Sequence, residues 1–199
     1  MSRTKPDRRI TRTQHSLHAA LNHLILEQGY ERSTITDITR RANVGRSTFY
    51  AHHGSKEGLL LAGLQHLRAA LIAAQRKSAD AAGAAAARPL GFSREFFEHV
   101  HDYREIYCAL RRSESAPTVT TALKRIVADI VSAELRAKGN ARGDEIPRDA
   151  LVRFTVDAFF SVLDWWFERN PALAPGAVDT IFRRLVVPAL AAAESRTSR

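Results

Sequence analysis

Twenty residues near the N-terminus, TITDITRRANVGRSTFYAHH (34–53), restrict the possible folds of this chain more than any other stretch. Thr34 followed three residues later by Asp37 is a helix-start signal: the hydroxyl can accept from the third amide while the carboxylate reaches back to the capping residue. The helix begun there runs to about Ala42, and Asn43-Val44-Gly45 makes a turn, since Asn and Gly both tolerate positive φ. A second short helix spans about Arg46 to His52 before Gly54-Ser55 breaks it. Two short helices separated by a glycine-containing turn of three or four residues form a helix-turn-helix. Ile35, Ile38, Ala42, Val44 and Phe49 take its inward positions, which leaves Arg46, Ser47, Thr48, Tyr50 and His52 outward. Short hydrogen-bonding side chains with an arginine suit base edges and phosphates. That outward face carries no acidic residue, and Lys56 stands in the first turn of the next helix. A cation there opposes the helix dipole, but beside free helix amides it suits a phosphate.

The remainder is helical in character, rich in alanine, leucine, arginine and glutamate and without strand-like alternation. Residues 1–9 form a basic, flexible arm. Leu17, Leu21 and Leu24 mark an amphipathic helix over about 11–28, stopped at Gly29. Ser55 caps a longer helix, about 56–80. Helical segments follow at 93–101, 103–113, 117–138, 147–169 and 175–194, with Pro117, Pro147 and Pro175 near three of the starts, where a missing N–H costs little. The fold class is all-α, with about nine helices. The alanine-rich stretch 79–91 is compatible with helix or loop, and 138–144 is an internal loop.

The formal net charge is +9, of which +5 falls within residues 1–58. Such an excess draws the chain to a polyanion, nucleic acid or an anionic membrane, unless it serves solubility alone. A membrane-surface role fits poorly, since the polar face of the first helix carries Gln14, His18 and Asn22 rather than lysines. No run of 18 apolar residues supplies a spanning helix, and no apolar run follows the basic N-terminus as a secretory signal requires. With Cys108 as the single cysteine, a cytoplasmic location is expected. No phosphate loop, nucleophile elbow or HExxH is present, so no enzyme and no catalytic residue is expected. The histidines lack the helical four-residue spacing of a metal pair, so neither metal nor cofactor is expected.

Gly29-Tyr30, Ser33-Thr34-Ile35-Thr36-Asp37-Ile38, Ala42 through His52, and Ser55-Lys56-Glu57-Gly58-Leu59-Leu60 together resemble the DNA-binding domain of the TetR/AcrR family of bacterial transcriptional regulators. The resemblance covers about residues 11–62, near a quarter of the chain. It implies an arm over 1–9, a helix-turn-helix domain over 10–56, and an effector-binding and dimerisation domain over 57–199. By position it implies that Thr34 and Thr36 touch phosphate or a base edge and that Arg46, Ser47 and Thr48 read bases. Tyr50 and His52 would contact the backbone, and Lys56 a phosphate. Asn43 replaces a common Gly, Gly45 a frequent Ser, and His53 a usual Phe or Val.

The resemblance further implies a homodimeric, ligand-responsive repressor on a palindromic duplex operator, released by an unknown small-molecule effector. The apolar segments 151–167 and 178–190 suit either an internal core or an interface between subunits. The family's dimerisation through its last two helices favours the interface, with candidates Val156, Phe160, Trp166, Phe182 and Leu185. For an effector pocket the candidates are Phe96, His99, Tyr103, Tyr107, Phe159 and Trp165.

Overall fold

The computed structural model describes residues 8–80, 89–137 and 146–195. Nine helices and no strand occur among these residues: α1 Arg8–Gln28, α2 Ile35–Ala42, α3 Arg46–His52, α4 Lys56–Asp80, α5 Phe92–Asp102, α6 Arg104–Arg111, α7 Ala116–Ala137, α8 Arg148–Arg169 and α9 Pro175–Ser195. Eight of the helices lie within two residues of their expected bounds. The first begins three residues early, so Arg8 and Arg9 are helical rather than part of the arm; residues 1–7 lie outside the described residues, as does the loop expected at 138–144. Of the stretch 79–91, expected as helix or loop, 79–80 close α4, 89–91 form a turn and 81–88 lie outside the described residues.

The helices fall into two units. The first comprises the residues up to His66 together with Tyr103–Thr120. In it α1 packs on α2 and α6, burying Leu17, Leu21 and Ile25 with Ile38, Phe49 and Leu59. Gly29, at φ +85°, ends α1 in the left-handed conformation. Asn43, at φ +53°, ends α2 in the same way, and the Val44 N–H reaches back five residues to the Thr39 carbonyl at 3.0 Å. That 6→1 bond is the Schellman pattern, and it sets the sharp entry into α3.

The second unit comprises Leu67–Asp102 and the residues from Thr121 on. Here α9 packs on α5 and α8. Phe92, Phe96, Phe97, Phe159, Trp166 and Phe182 have no more than 1% of their surface exposed and meet mainly edge-to-face, Phe96–Phe159 with centroids 4.8 Å apart and Phe159–Phe182 at 5.1 Å. Polar ties fix the helix entry: Glu134 accepts the Leu90 N–H and a Gln75 side-chain N–H, while Gln75 Oε1 accepts the Phe92 N–H at 3.1 Å. The buried Ser93 hydroxyl donates to Asp179 at 2.5 Å, joining α5 to α9.

Candidate nucleic-acid interface

The two-helix element is rigidly capped at its start. Thr34 Oγ1 accepts the Asp37 N–H at 3.1 Å, and the Thr34 N–H donates to Asp37 Oδ2 at 3.2 Å, a complete capping box. The Thr34 hydroxyl also donates to that carboxylate at 2.6 Å, which holds the Asp37 carboxyl below its ordinary range. Thr34, a candidate phosphate contact, is therefore already occupied in helix capping, whereas Thr36 is exposed. The inward set is smaller than its pattern suggests. Ile38 and Phe49 are fully buried; Ile35, Ala42 and Val44 are half-buried, and Thr39 is buried beside Ile38.

Arg46, Ser47 and Tyr50 on α3 are exposed, and Thr48 and His52 are half-buried. Tyr50 stands edge-on to buried Phe49, centroids 5.4 Å apart, so a rigid core ring positions its own ring at the surface. Gly45 caps α3 at φ −68°, not a positive value, and supplies no side-chain cap. Its conformational freedom is unused, contrary to the turn reading above; Asn43 alone in that turn takes the left-handed conformation. Arg40 pairs with Asp37 on the surface at 3.6 Å, and Arg41 bonds Glu27 of α1 at 2.8 Å.

Lys56 is placed differently from a lysine awaiting a phosphate. Its Nζ donates to the carbonyls of Tyr30 at 2.6 Å and Glu31 at 3.2 Å. Burial pulls its ammonium below the usual lysine range, with Glu31 opposing that shift. A cation at this helix start, unfavourable to the helix dipole, is held instead by carbonyls of the α1–α2 connection.

The other candidates divide between the units. Tyr103 and Tyr107 belong to the first unit, Tyr103 exposed and Tyr107 buried with its phenol pushed up by desolvation. Phe96, His99, Phe159 and Trp165 belong to the second: Phe96 and Phe159 are in the core, His99 is half-buried with its imidazole shifted down by desolvation, and Trp165 is exposed. Among the interface candidates, Val156, Phe160, Trp166 and Phe182 are instead buried in their own subunit's core, with Trp166 Nε1 donating to the Leu173 carbonyl at 3.1 Å. Leu185 is 62% exposed. Phe154, absent from that set, is 48% exposed and lies eleven residues, three helical turns, before exposed Trp165 on α8.

A helix-turn-helix with an acid-free, outward recognition surface, joined to a further helical unit, defines a DNA-binding regulator class. The comparisons give the family. The model for bacterial regulatory proteins of the tetR family matches residues 17–62, and a transcriptional-regulator C-terminal-region model matches 88–186. This chain belongs to the TetR/AcrR family and is a DNA-binding transcriptional regulator. A curated relative, an uncharacterised HTH-type transcriptional regulator YxbF of Bacillus subtilis, is 43% identical over 67 residues, which are 33% of this chain and only 18% of that relative's length. A putative TetR-family regulator from Syntrophomonas wolfei shares the fold at TM-score 0.70 and 17% identity, over 89% of this chain and 96% of that one. NalD of Pseudomonas aeruginosa, the secondary repressor of a multidrug efflux pump, shares it at 0.62 and 17%, over 90% and 96%. Among the described residues no helix is long and apolar enough to cross a membrane.

Proposed function

We propose that this protein is a homodimeric, ligand-released repressor that acts in the cytoplasm on a palindromic operator. The observation that carries the DNA-reading part is the exposed, acid-free face of α3, held by buried Phe49 and by the αL turn at Asn43. In this reading Arg46, Ser47 and Thr48 reach base edges. Tyr50, His52 and Thr36 meet the backbone, Lys56 adds positive potential near it, and Thr34 supports the site chiefly by capping α2. Residues 10–56 serve as the reader and 57–199 as the effector and dimer region.

The second copy docks on the exposed faces of α8 and α9, through Phe154, Trp165 and Leu185, because Val156, Phe160, Trp166 and Phe182 are consumed by the subunit's own core. Two readers then fall about 34–36 Å or more apart along the duplex. The effector binds among the helices of the second unit, with Phe96, His99 and Phe159 as candidate lining. NalD, which shares the fold, is named a repressor, and DhaS, which shares it at the same TM-score of 0.62, an operon activator, so a reporter behind the selected operator tests the sign: lower expression with the protein present is expected. Selection from random duplex DNA tests the reading: a palindromic consensus is expected, and retention without a consensus overturns it.

A further inference from the structure

Four histidines far apart in sequence meet within the first unit. His15 of α1 stands edge-on to His66 of α4, centroids 5.8 Å apart. His18 of α1 is edge-on to His66 at 5.9 Å and to His53, the residue closing α3, at 5.8 Å. His53 also lies against Phe49 at 5.9 Å and His52 at 6.4 Å. Helix α4 comes close here because Gly63 faces His18: a Cβ at Gly63 would lie 3.3 Å from His18 Nδ1. The cluster therefore adds imidazole contacts among α1, the end of α3 and α4 to the apolar packing of this unit.

We propose that His15, His18, His53 and His66 form an acid-sensitive latch, holding α3 against α1 and α4 while neutral and releasing it when protonated. The proposal deepens the DNA-reading role given to α3 and rests on it for its regulatory meaning. Neutral imidazoles pack edge-to-face like other aromatic rings, whereas two charged ones about 6 Å apart repel. His53 Nε2 is buried with no hydrogen-bond partner among the described residues. A protonated His53 would donate from both ring nitrogens, and this one has no acceptor.

The charges that act on His18 are those of the three other imidazoles: His53 at the end of α3, His66 on α4 and His15 on its own helix. His53 faces His52 beside it in the chain and His18 across from it on α1. Burial first, and then these neighbours, push His18 down to about 4 from the ordinary 6.5. His53 is lowered by the same order of causes. The latched state thus takes up protons at lower pH than the opened state. The effect is negligible at pH 7.5 and grows as pH falls: from His18 alone the opened state gains roughly 30-fold by pH 5 and approaches roughly 300-fold only below pH 4. Among the described residues no group of three or more His, Cys, Asp or Glu is placed to hold a metal ion.

The protein is titrated from pH 7.5 to 5.0 at constant ionic strength, with and without EDTA, reading imidazole chemical shifts, thermal melting and amide exchange of α3. In parallel, binding to a duplex selected from random DNA is compared with binding to its scrambled counterpart. Wild type is expected to show depressed titration of His18 and His53, falling melting temperature, and selective binding weakened tenfold or more across the range. In H18Q and H18L these acid responses shrink by at least threefold, two variants being used because either could disturb packing at neutral pH. Ordinary titration of both histidines, an unchanged response in both variants, or an acid response present only without EDTA overturns the latch. Melting and α3 exchange report on the latch without DNA; if they respond as expected while no sequence is selected at any pH, it is the DNA-reading role that fails.

Discussion

Lys56 Nζ lies 2.6 Å from the Tyr30 carbonyl oxygen and 4.1 Å above the centre of the Tyr30 ring. The ammonium therefore fastens the start of α4 to the connection between α1 and α2, with the ring's negative face beneath it. A side chain so held can still project positive potential toward a nearby phosphate.

Lys56→Met separates those two roles. Loss of the carbonyl contacts is expected to cost about 1–2 kcal/mol of stability, seen as a lower denaturation midpoint. If Lys56 also acts on the duplex, binding weakens on every sequence and the salt slope becomes shallower by about 1. Destabilisation with an unchanged slope would leave only the structural role.

Arg46→Ala is expected to cost about 1–3 kcal/mol on the selected duplex and to relax preference at one base position, since Arg46 is exposed on α3. Fold should be unaffected. An equal loss on selected and scrambled duplexes would make Arg46 a phosphate contact instead.

Leu185→Glu and Phe182→Ala should part company. Leu185 is 62% exposed, so a charge there is expected to shift a dimer toward monomer in sedimentation with little change in subunit melting. Phe182 is fully buried against Phe97 and Phe159, so truncation is expected to cost about 3–5 kcal/mol in stability. A Leu185→Glu protein with unaltered self-association would remove α9 from the interface.

Thr34→Val removes the capping hydroxyl. Faster amide exchange in α2 is expected, because the Asp37 N–H loses its acceptor. The Asp37 carboxyl, held low first by the Thr34 side chain, stabilises the fold above its unfolded value of 3.8 and loses that contribution as pH falls through its lower folded value. In the variant this acid-dependent part should diminish; an identical acid limb in both proteins would show that the hydroxyl contact does not lower Asp37.

Local signals carried much of this protein in its sequence. Thr34 with Asp37, Gly29 and Asn43 act through backbone groups a few residues away, so helix starts, stops and the turn follow from neighbours in the chain. The helix-turn-helix and its outward Arg46, Ser47 and Tyr50 were legible for the same reason, as was the family. What the tertiary structure decided is which long-range partner each side chain met. Segments 151–167 and 178–190 are apolar on more than one face, and composition does not say which face the subunit itself covers. Packing assigned Trp166 and Phe182 to the core and left Trp165, Phe154 and Leu185 outside. Lys56 found carbonyls 25 and 26 residues away, and His18 found His53 and His66 across two other helices. Contacts of that range depend on how whole helices are placed, which no local spacing encodes.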